Sequence, residues 1–424
     1  MTKDDLDRSV TAADVTEAAR RLAGVIEPTP LQRSPRLSAE HGLDVWLKRE
    51  DLQAVRSYKV RGAYNVVSQL DEAARARGVT CASAGNHAQG VAFACARAGV
   101  RARVFLPRTT PRQKRERVAT LGVGLVDVVI EGDTYDESAS AASAYAARSG
   151  ATLIHAFDDP RTIAGQGTVA HELLKQFEAA GTTPDAVVVP VGGGGLLAGT
   201  LSLLQERAPW VTVIGAEPAG AASMAAAVRA GNPVELDAIE PFVDGAAVRR
   251  VGDWTFDAVR RARPTLVAVP EGRVCVEMLS LYQSDGIVAE PAGALASGAL
   301  HLDVGLPLGA TVVCVVSGGN NDVSRYGEVV ERALIFEGLK HYFLVEFPQE
   351  PGALRRFLNE VLGRDDDITL FEYVKRNNRE TGPALVGIEL QSPDDLDALL
   401  LRLEASPLRA QRVPPDSPLF RFIL

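Results

Sequence analysis

The feature that most constrains this chain is a series of short, almost wholly apolar runs separated by segments of helical length. Val79-Thr80-Cys81-Ala82, Val104-Phe105-Leu106, Val126 to Ile130, Val187-Val188-Val189, Val211 to Ile214 and Thr311 to Val316 are too short to be helices. They show none of the inside-outside alternation of a half-exposed strand. Such runs are strands covered on both faces, and the segments between them supply the covering helices. The chain therefore reads as α/β, with open parallel sheets layered between helices. The helices expected are Ala12 to Leu22, one beginning near Lys59, Ala88 to Ala98, Gln113 to Leu121, Asp133 to Ser149, Ile163 to Ala179 and Leu196 to Glu206. The sixth is expected despite Gly165 and Gly167 near its start. Val45 to Lys48 and Leu153-Ile154 complete the strands, and Pro28, Pro30 and Pro35 mark an early loop.

The texture changes near Phe336-Glu337-Gly338. Beyond it come a strand (His341 to Phe347), a helix (Pro351 to Leu362), strands at Ile368 to Val374 and Ala384 to Leu390, and a helix at Asp394 to Glu404. The order βαββα, with a last strand in the Pro-rich end, is a ferredoxin-like module. Two domains are expected, 1–336 and 340–424, which suits a chain of 424 residues.

Composition narrows the function. A net charge of −9 argues against a general nucleic-acid binder. No apolar run approaches membrane-spanning length, and Met1 to Leu6 lacks the apolar core of a signal peptide. Cys81, Cys95, Cys275 and Cys314 form no C-x-x-C pair, which points to a reduced, cytoplasmic chain. Six scattered histidines give no metal-binding motif, so no metal is expected.

Four strand-end loops carry chemistry. Of 45 basic residues only seven are lysine, and Lys59 stands out in Ser57-Tyr58-Lys59-Val60-Arg61-Gly62-Ala63. Ser57 reads as a helix cap that places Lys59 in the first turn. There the helix dipole and the flanking Arg56 and Arg61 disfavour an ammonium and favour a carbonyl-reactive amine. Gly192-Gly193-Gly194-Gly195-Leu196 follows a buried strand and opens a helix, so its N–H groups converge on an anion such as phosphate. A dinucleotide site fits the same residues, because Gly193, Gly195 and Ala198 match G-x-G-x-x-A and Glu217 lies 22 positions after Gly195. Ser83-Ala84-Gly85-Asn86-His87 is a second anion loop, suited to an amino-acid carboxylate, with Asn86 able to meet a phenolate oxygen. For His87 the alternative is a structural imidazole. Ser317-Gly318-Gly319-Asn320 ends the last strand, where Ser317 can meet a ring nitrogen. A nicotinamide enzyme needs neither the lysine nor the extra anion loops. Pyridoxal phosphate needs an amine, a phosphate cradle, and partners for its phenolic oxygen and ring nitrogen.

These loops together resemble the signature set of fold-type II pyridoxal-phosphate enzymes. Asp158-Asp159 with Ile163-Ala164-Gly165-Gln166-Gly167-Thr168 narrows the resemblance to the threonine/serine dehydratases. The C-terminal module resembles the ACT-like regulatory domain of biosynthetic threonine deaminases in their short form. The resemblance implies two open parallel-sheet lobes, with the smaller one, about 55–155, inserted. It implies pyridoxal 5'-phosphate attached covalently to Lys59, which also acts as base at the substrate Cα. Asn86 would hold the cofactor's phenolic oxygen, Gly192, Gly193, Gly194, Gly195 and Leu196 its phosphate, and Ser317 its ring nitrogen. Ser83, Ala84, Gly85, Asn86 and His87 would hold the substrate carboxylate. L-Threonine is the implied substrate, isoleucine (or valine) the effector, and a homotetramer the assembly. Tyr58 stands where the family usually has Phe, and Ser223 where some relatives carry a cation-binding acid. Serine dehydratase and serine racemase share the same loops, and a non-catalytic amino-acid sensor would have no use for Lys59.

Overall fold

A computed structural model describes residues 9–373, 380–415, 417, 419 and 420. The residues expected to open the chain, and Val374 at the end of one expected strand, lie outside those described. In chain order the first elements are α1 (Ala12–Leu22), β1 (Leu31–Arg33), α2 (Pro35–His41) and β2 (Asp44–Arg49). Next come α3 (Lys59–Ser68), α4 (Glu72–Arg77), β3 (Val79–Ala82), α5 (Asn86–Ala98), β4 (Ala102–Leu106), α6 (Arg112–Leu121), β5 (Val126–Ile130), α7 (Tyr135–Ser149) and β6 (Thr152–Leu153). The chain continues through α8 (Pro160–Ala179), β7 (Ala186–Pro190), α9 (Gly195–Arg207), β8 (Thr212–Pro218), α10 (Ser223–Ala230), α11 (Asp253–Ala262), β9 (Thr265–Val269), α12 (Glu271–Gln283), α13 (Pro291–Gly298) and β10 (Thr311–Val316).

A six-stranded sheet runs β1-β2-β10-β7-β8-β9 and a four-stranded sheet runs β5-β4-β3-β6. Both are parallel except for the edge strand β1, which pairs antiparallel with β2 through Leu31 and Lys48. The chain leaves the larger sheet after β2, builds the smaller one, and returns at β7. The topology thus brings the loops after β3, β7 and β10 to carboxyl ends of parallel strands, where open α/β sheets bind ligands. Val187, Val189, Leu197, Leu201 and Phe177 anchor the larger core, and Val66, Val91, Val104 and Leu106 the smaller.

Helix α8 forms in spite of its glycines. Asp159 caps it through the N–H groups of Arg161 and Thr162, and Pro160 occupies its first turn. Ile163, Val169, Leu173 and Phe177 are fully buried on it. Each contributes roughly 1.5–3 kcal/mol on burial, against about 1 kcal/mol lost per helical glycine. The glycines also permit close packing. A Cβ on Gly165 would lie 2.6 Å from the Gly62 Cα on α3, and one on Gly167 would lie 2.7 Å from the Gly199 carbonyl oxygen on α9.

The chain divides into units Met1–Asp322 and Val323–Leu424. The second contains α14 (Tyr326–Phe336), β11 (Lys340–Pro348), α15 (Ala353–Arg356), β12 (Asp367–Tyr373), β13 (Thr381–Glu389), α16 (Leu396–Ala405) and β14 (Arg409–Val413). Its antiparallel sheet runs β12-β13-β11-β14, with the last strand expected from the Pro-rich end in place. Phe343, Val345, Phe347, Phe357, Val386 and Leu399 form its core.

Candidate active site

Lys59 is the first residue of α3, as its sequence position predicts. The capping is different: Tyr58 is the N-cap, and the Ser57 hydroxyl makes no cap bond. Ser57 is instead buried beside the loop after β10, with its Oγ unpartnered. That loop straps the start of α3. Ser57 bridges Gly318, the Tyr58 N–H donates to the Ser317 carbonyl at 3.1 Å, and the Gly319 N–H donates to the Arg56 carbonyl at 2.9 Å. Lys59 Nζ donates to the Ala156 carbonyl at 3.2 Å.

Arg61 is not a free neighbouring cation. It is 1 % exposed and bonds both Glu50 oxygens at 2.8 Å. It also reaches Glu172 at 2.6 Å, and Glu172 meets the buried Lys48 at 2.9 Å. The Arg61 charge is therefore spent in a buried network that fixes α3 against α8.

The Asn86 loop joins the same place. Asn86 Nδ2 donates to Glu290 Oε1 at 2.5 Å, and its Oδ1 accepts from Asn320 Nδ2 at 2.7 Å. One amide hydrogen of Asn86 is left for a further acceptor. The His87 ring lies buried with Nε2 2.9 Å from the Ile154 carbonyl, and burial followed by the nearby Lys59 charge lowers its pKa to about 3. The imidazole is neutral and held by backbone, so the loop offers an anion its N–H groups rather than this ring. Ser83 Oγ accepts from the Gly85 N–H at 3.2 Å and shapes the turn.

In the glycine loop, Gly194 has φ +90°, the left-handed region that suits glycine. A Cβ on Gly193 would overlap the Phe157 ring. The Gly192 to Leu196 N–H groups donate to no acceptor among the described residues. The dinucleotide reading fails here. Glu217 accepts from the N–H groups of Met224 (2.6 Å) and Ala225 (2.9 Å), so it is engaged by α10 rather than free for a ribose. Burial pushes its carboxyl up to about 7.

Ser317 is 2 % exposed, and its hydroxyl donates to the Ala292 carbonyl at 3.2 Å, a long bond that leaves its lone pairs free. The Lys59, Asn86 and Ser317 loops are thus joined through Ser317 to Asn320. Ala156-Phe157 links Lys59 to the glycine loop. Sequence reading missed Glu290 and this Ala156-Phe157 seam. Glu290 is a lone acid in the apolar stretch before α13. Burial, then Asp244, pushes it up to about 7, with the Asn86 bond opposing. Nothing in the sequence marks the seam.

The family described as "Pyridoxal-phosphate dependent enzyme" matches residues 22–318. This chain belongs to that family. A second family, described as "C-terminal regulatory domain of Threonine dehydratase", matches residues 331–423. The chain is 58 % identical over 418 residues to "L-threonine dehydratase biosynthetic IlvA" of Mycobacterium bovis, covering 98 % of this chain and 96 % of that one. It is 49 % identical over 410 residues to the protein of the same description in Bacillus subtilis, covering 97 % and 96 %. Among solved structures it resembles the processed form of threonine deaminase isoform 2 from Solanum lycopersicum, with 35 % identity and a TM-score of 0.71 over 79 % of this chain and 90 % of that one. Maize serine racemase has the same TM-score at 28 % identity, over 77 % and 99 %.

Members of the pyridoxal-phosphate dependent family use that cofactor, and the residues here fit it. The unpaired N–H row at the start of α9 suits a phosphate dianion. The unpartnered Ser57 Oγ and the spare Asn86 amide hydrogen lie on loops tied to the one that carries Ser317.

Proposed function

We propose that this protein is a threonine ammonia-lyase. It converts L-threonine to 2-oxobutanoate and ammonia, the first step toward isoleucine, and isoleucine inhibits it. The observation that carries this reading is the match of residues 331–423 to the regulatory domain of threonine dehydratase, next to a catalytic part of the pyridoxal-phosphate dependent family. Relatives of that description are matched along nearly the whole length. The solved threonine deaminase is 35 % identical to the chain and the solved serine racemase 28 %.

When bound, pyridoxal phosphate supplies an electron sink that acidifies the Cα–H of an amino acid joined to it. Lys59 Nζ would hold the cofactor covalently and would serve as the base for the substrate Cα proton. The bond from Nζ to the Ala156 carbonyl holds the amine where the Ala156-Phe157 seam meets the glycine loop. Gly192 to Leu196 hold the phosphate through their N–H groups. Asn86 gives its spare hydrogen to the phenolic oxygen while Glu290 and Asn320 fix its amide plane. Ser317 faces the ring nitrogen. A hydroxyl there would not keep that nitrogen charged as a carboxylate would. The Ser83 to His87 backbone receives the substrate carboxylate.

A hollow of about 370 Å³ in the second unit, lined by Phe343, Leu403 and Leu408 with Glu404 and Arg409 at its polar side, supports an aliphatic amino acid as effector. The same reading makes the chain a cytoplasmic homotetramer. Four buried cysteines without disulfides agree with a reducing compartment.

The purified protein is expected to be yellow, to fix its cofactor on Lys59 on borohydride reduction, and to turn over threonine faster than serine. Lys59→Ala should lower turnover by about 10²–10⁴-fold or more, the range for loss of a positioned base. A colourless protein that binds NAD, or a label on another lysine, would sink the reading.

A further inference from the structure

Away from the candidate active site, α2 ends in Glu40-His41, and the helical turn after α13 ends at His301. The two imidazole rings meet edge to face with centroids 4.6 Å apart. His41 Nε2 is buried and has no hydrogen-bond partner. One electron-pair donor atom each from Glu40, His41 and His301 lies within 4.8 Å of the other two. His301 Nδ1 faces Glu40 Oε1 at 3.7 Å. Its other nitrogen, Nε2, faces Glu277 Oε2, also at 3.7 Å. Glu277 is 1 % exposed and is held by Arg36 at 2.9 Å.

Two features of this cluster point the same way. One ligand atom from each of three residues converges, and His41 Nε2 is buried without a partner. Behind His301 stands the buried Glu277 carboxylate, 3.7 Å from Nε2, in the place of the carboxylates that commonly back metal-bound histidines. Glu40, Glu277 and Asp285 all pair with the Arg36 guanidinium beside the cluster. We infer that Glu40, His41 and His301 bind a divalent transition-metal ion of the zinc class. Two imidazoles and a carboxylate suit zinc and its neighbours rather than magnesium or calcium, which prefer oxygen. Bonds of about 2.1 Å place tetrahedral ligands about 3.4 Å apart. The ligand atoms, now up to 4.8 Å apart, would draw together around the ion, with the Glu40 side chain 41 % exposed. Water completes the coordination. The ion would join α2 to the turn that follows α13.

The test uses untagged, full-length, cofactor-loaded protein, treated with chelator and then titrated with Co²⁺ as the probe. We expect one saturable equivalent per chain, with visible ligand-field bands that Zn²⁺ abolishes, and a melting temperature raised by Zn²⁺. His41→Gln and His301→Gln should each weaken Co²⁺ binding at least ~10-fold, and Glu277→Gln by about 10–100-fold, the usual cost of losing the backing carboxylate. His171→Gln, on another helix, should change nothing. Where a histidine variant does not fold, Glu40→Gln decides at a partly exposed position. A ~10-fold weakening upholds the site, and unchanged binding overturns it. Absence of saturable uptake by the wild-type protein, or uptake equal in all variants, also overturns it.

Discussion

Glu290 shows how a residue gains a role from its surroundings rather than from its type. It is 4 % exposed, and its carboxylate accepts from the Asn86 amide. Its pKa, raised from 4.5 to about 7, sets a sign for stability. Between those values the folded protein keeps a proton that the unfolded chain releases, so the Glu290 contribution falls as pH rises from 4.5 to about 7. Glu290→Gln keeps the acceptor for Asn86 and removes the titration. The stability of wild type minus that of Glu290→Gln, from urea unfolding, should decline across that window and level off above it. A difference independent of pH would refute the assignment. At this scale the sequence was legible where a motif fixes a residue's place, as with Lys59 at the start of α3 and the glycine loop that opens α9. It was misleading where a side chain's partner is remote. Ser57 reads as a cap and is buried without a partner, and Arg61 reads as a free charge but is matched by Glu50 and Glu172.

Among the elements, α8 is the one whose sequence looked least suited to its place. Gly165 and Gly167 weaken a helix in isolation, yet each lies where another backbone comes within van der Waals reach. That contact sets the distance of α3, and so of Lys59, from the larger sheet. Gly165→Ala is therefore expected to destabilise by about 1–3 kcal/mol through overpacking, outweighing the better helix propensity of alanine. The check is a lowered urea midpoint with an unchanged slope. A rise in stability would show that α3 is free to move away. Strands were the most legible elements, because burial on both faces leaves continuous apolar runs. Val79–Ala82, Val126–Ile130 and Thr311–Val316 agree with the sequence reading at both ends. Between Pro218 and Thr311 that reading assigned no element. The Ala-rich helix α10 is short, and β9 is a single short strand next to a loop-rich stretch.

For the whole molecule, the division of labour follows from how the sheets are closed. Neither parallel sheet takes a strand from beyond Asp322, and the antiparallel sheet takes none from before it. A chain ending at Asp322 should therefore retain turnover of threonine and lose its response to isoleucine, measured as initial rates with and without the effector. If the full-length protein ignores isoleucine and valine at working substrate levels, the regulatory part of the proposal fails. The change in texture near Phe336 suggested a boundary there, whereas the chain divides at Asp322–Val323 and α14 belongs to the second unit. The seam through Ala156 and Phe157 was not legible, because nothing in those residues announces which strand-end loops they join. The row of N–H groups from Gly192 to Leu196 has a practical corollary. Under the proposed function, inorganic phosphate and sulfate would present the same tetrahedral oxygens to it as the cofactor phosphate. Reloading a stripped preparation is therefore a contest between anions, decided as much by the choice of buffer salt as by the amount of cofactor supplied.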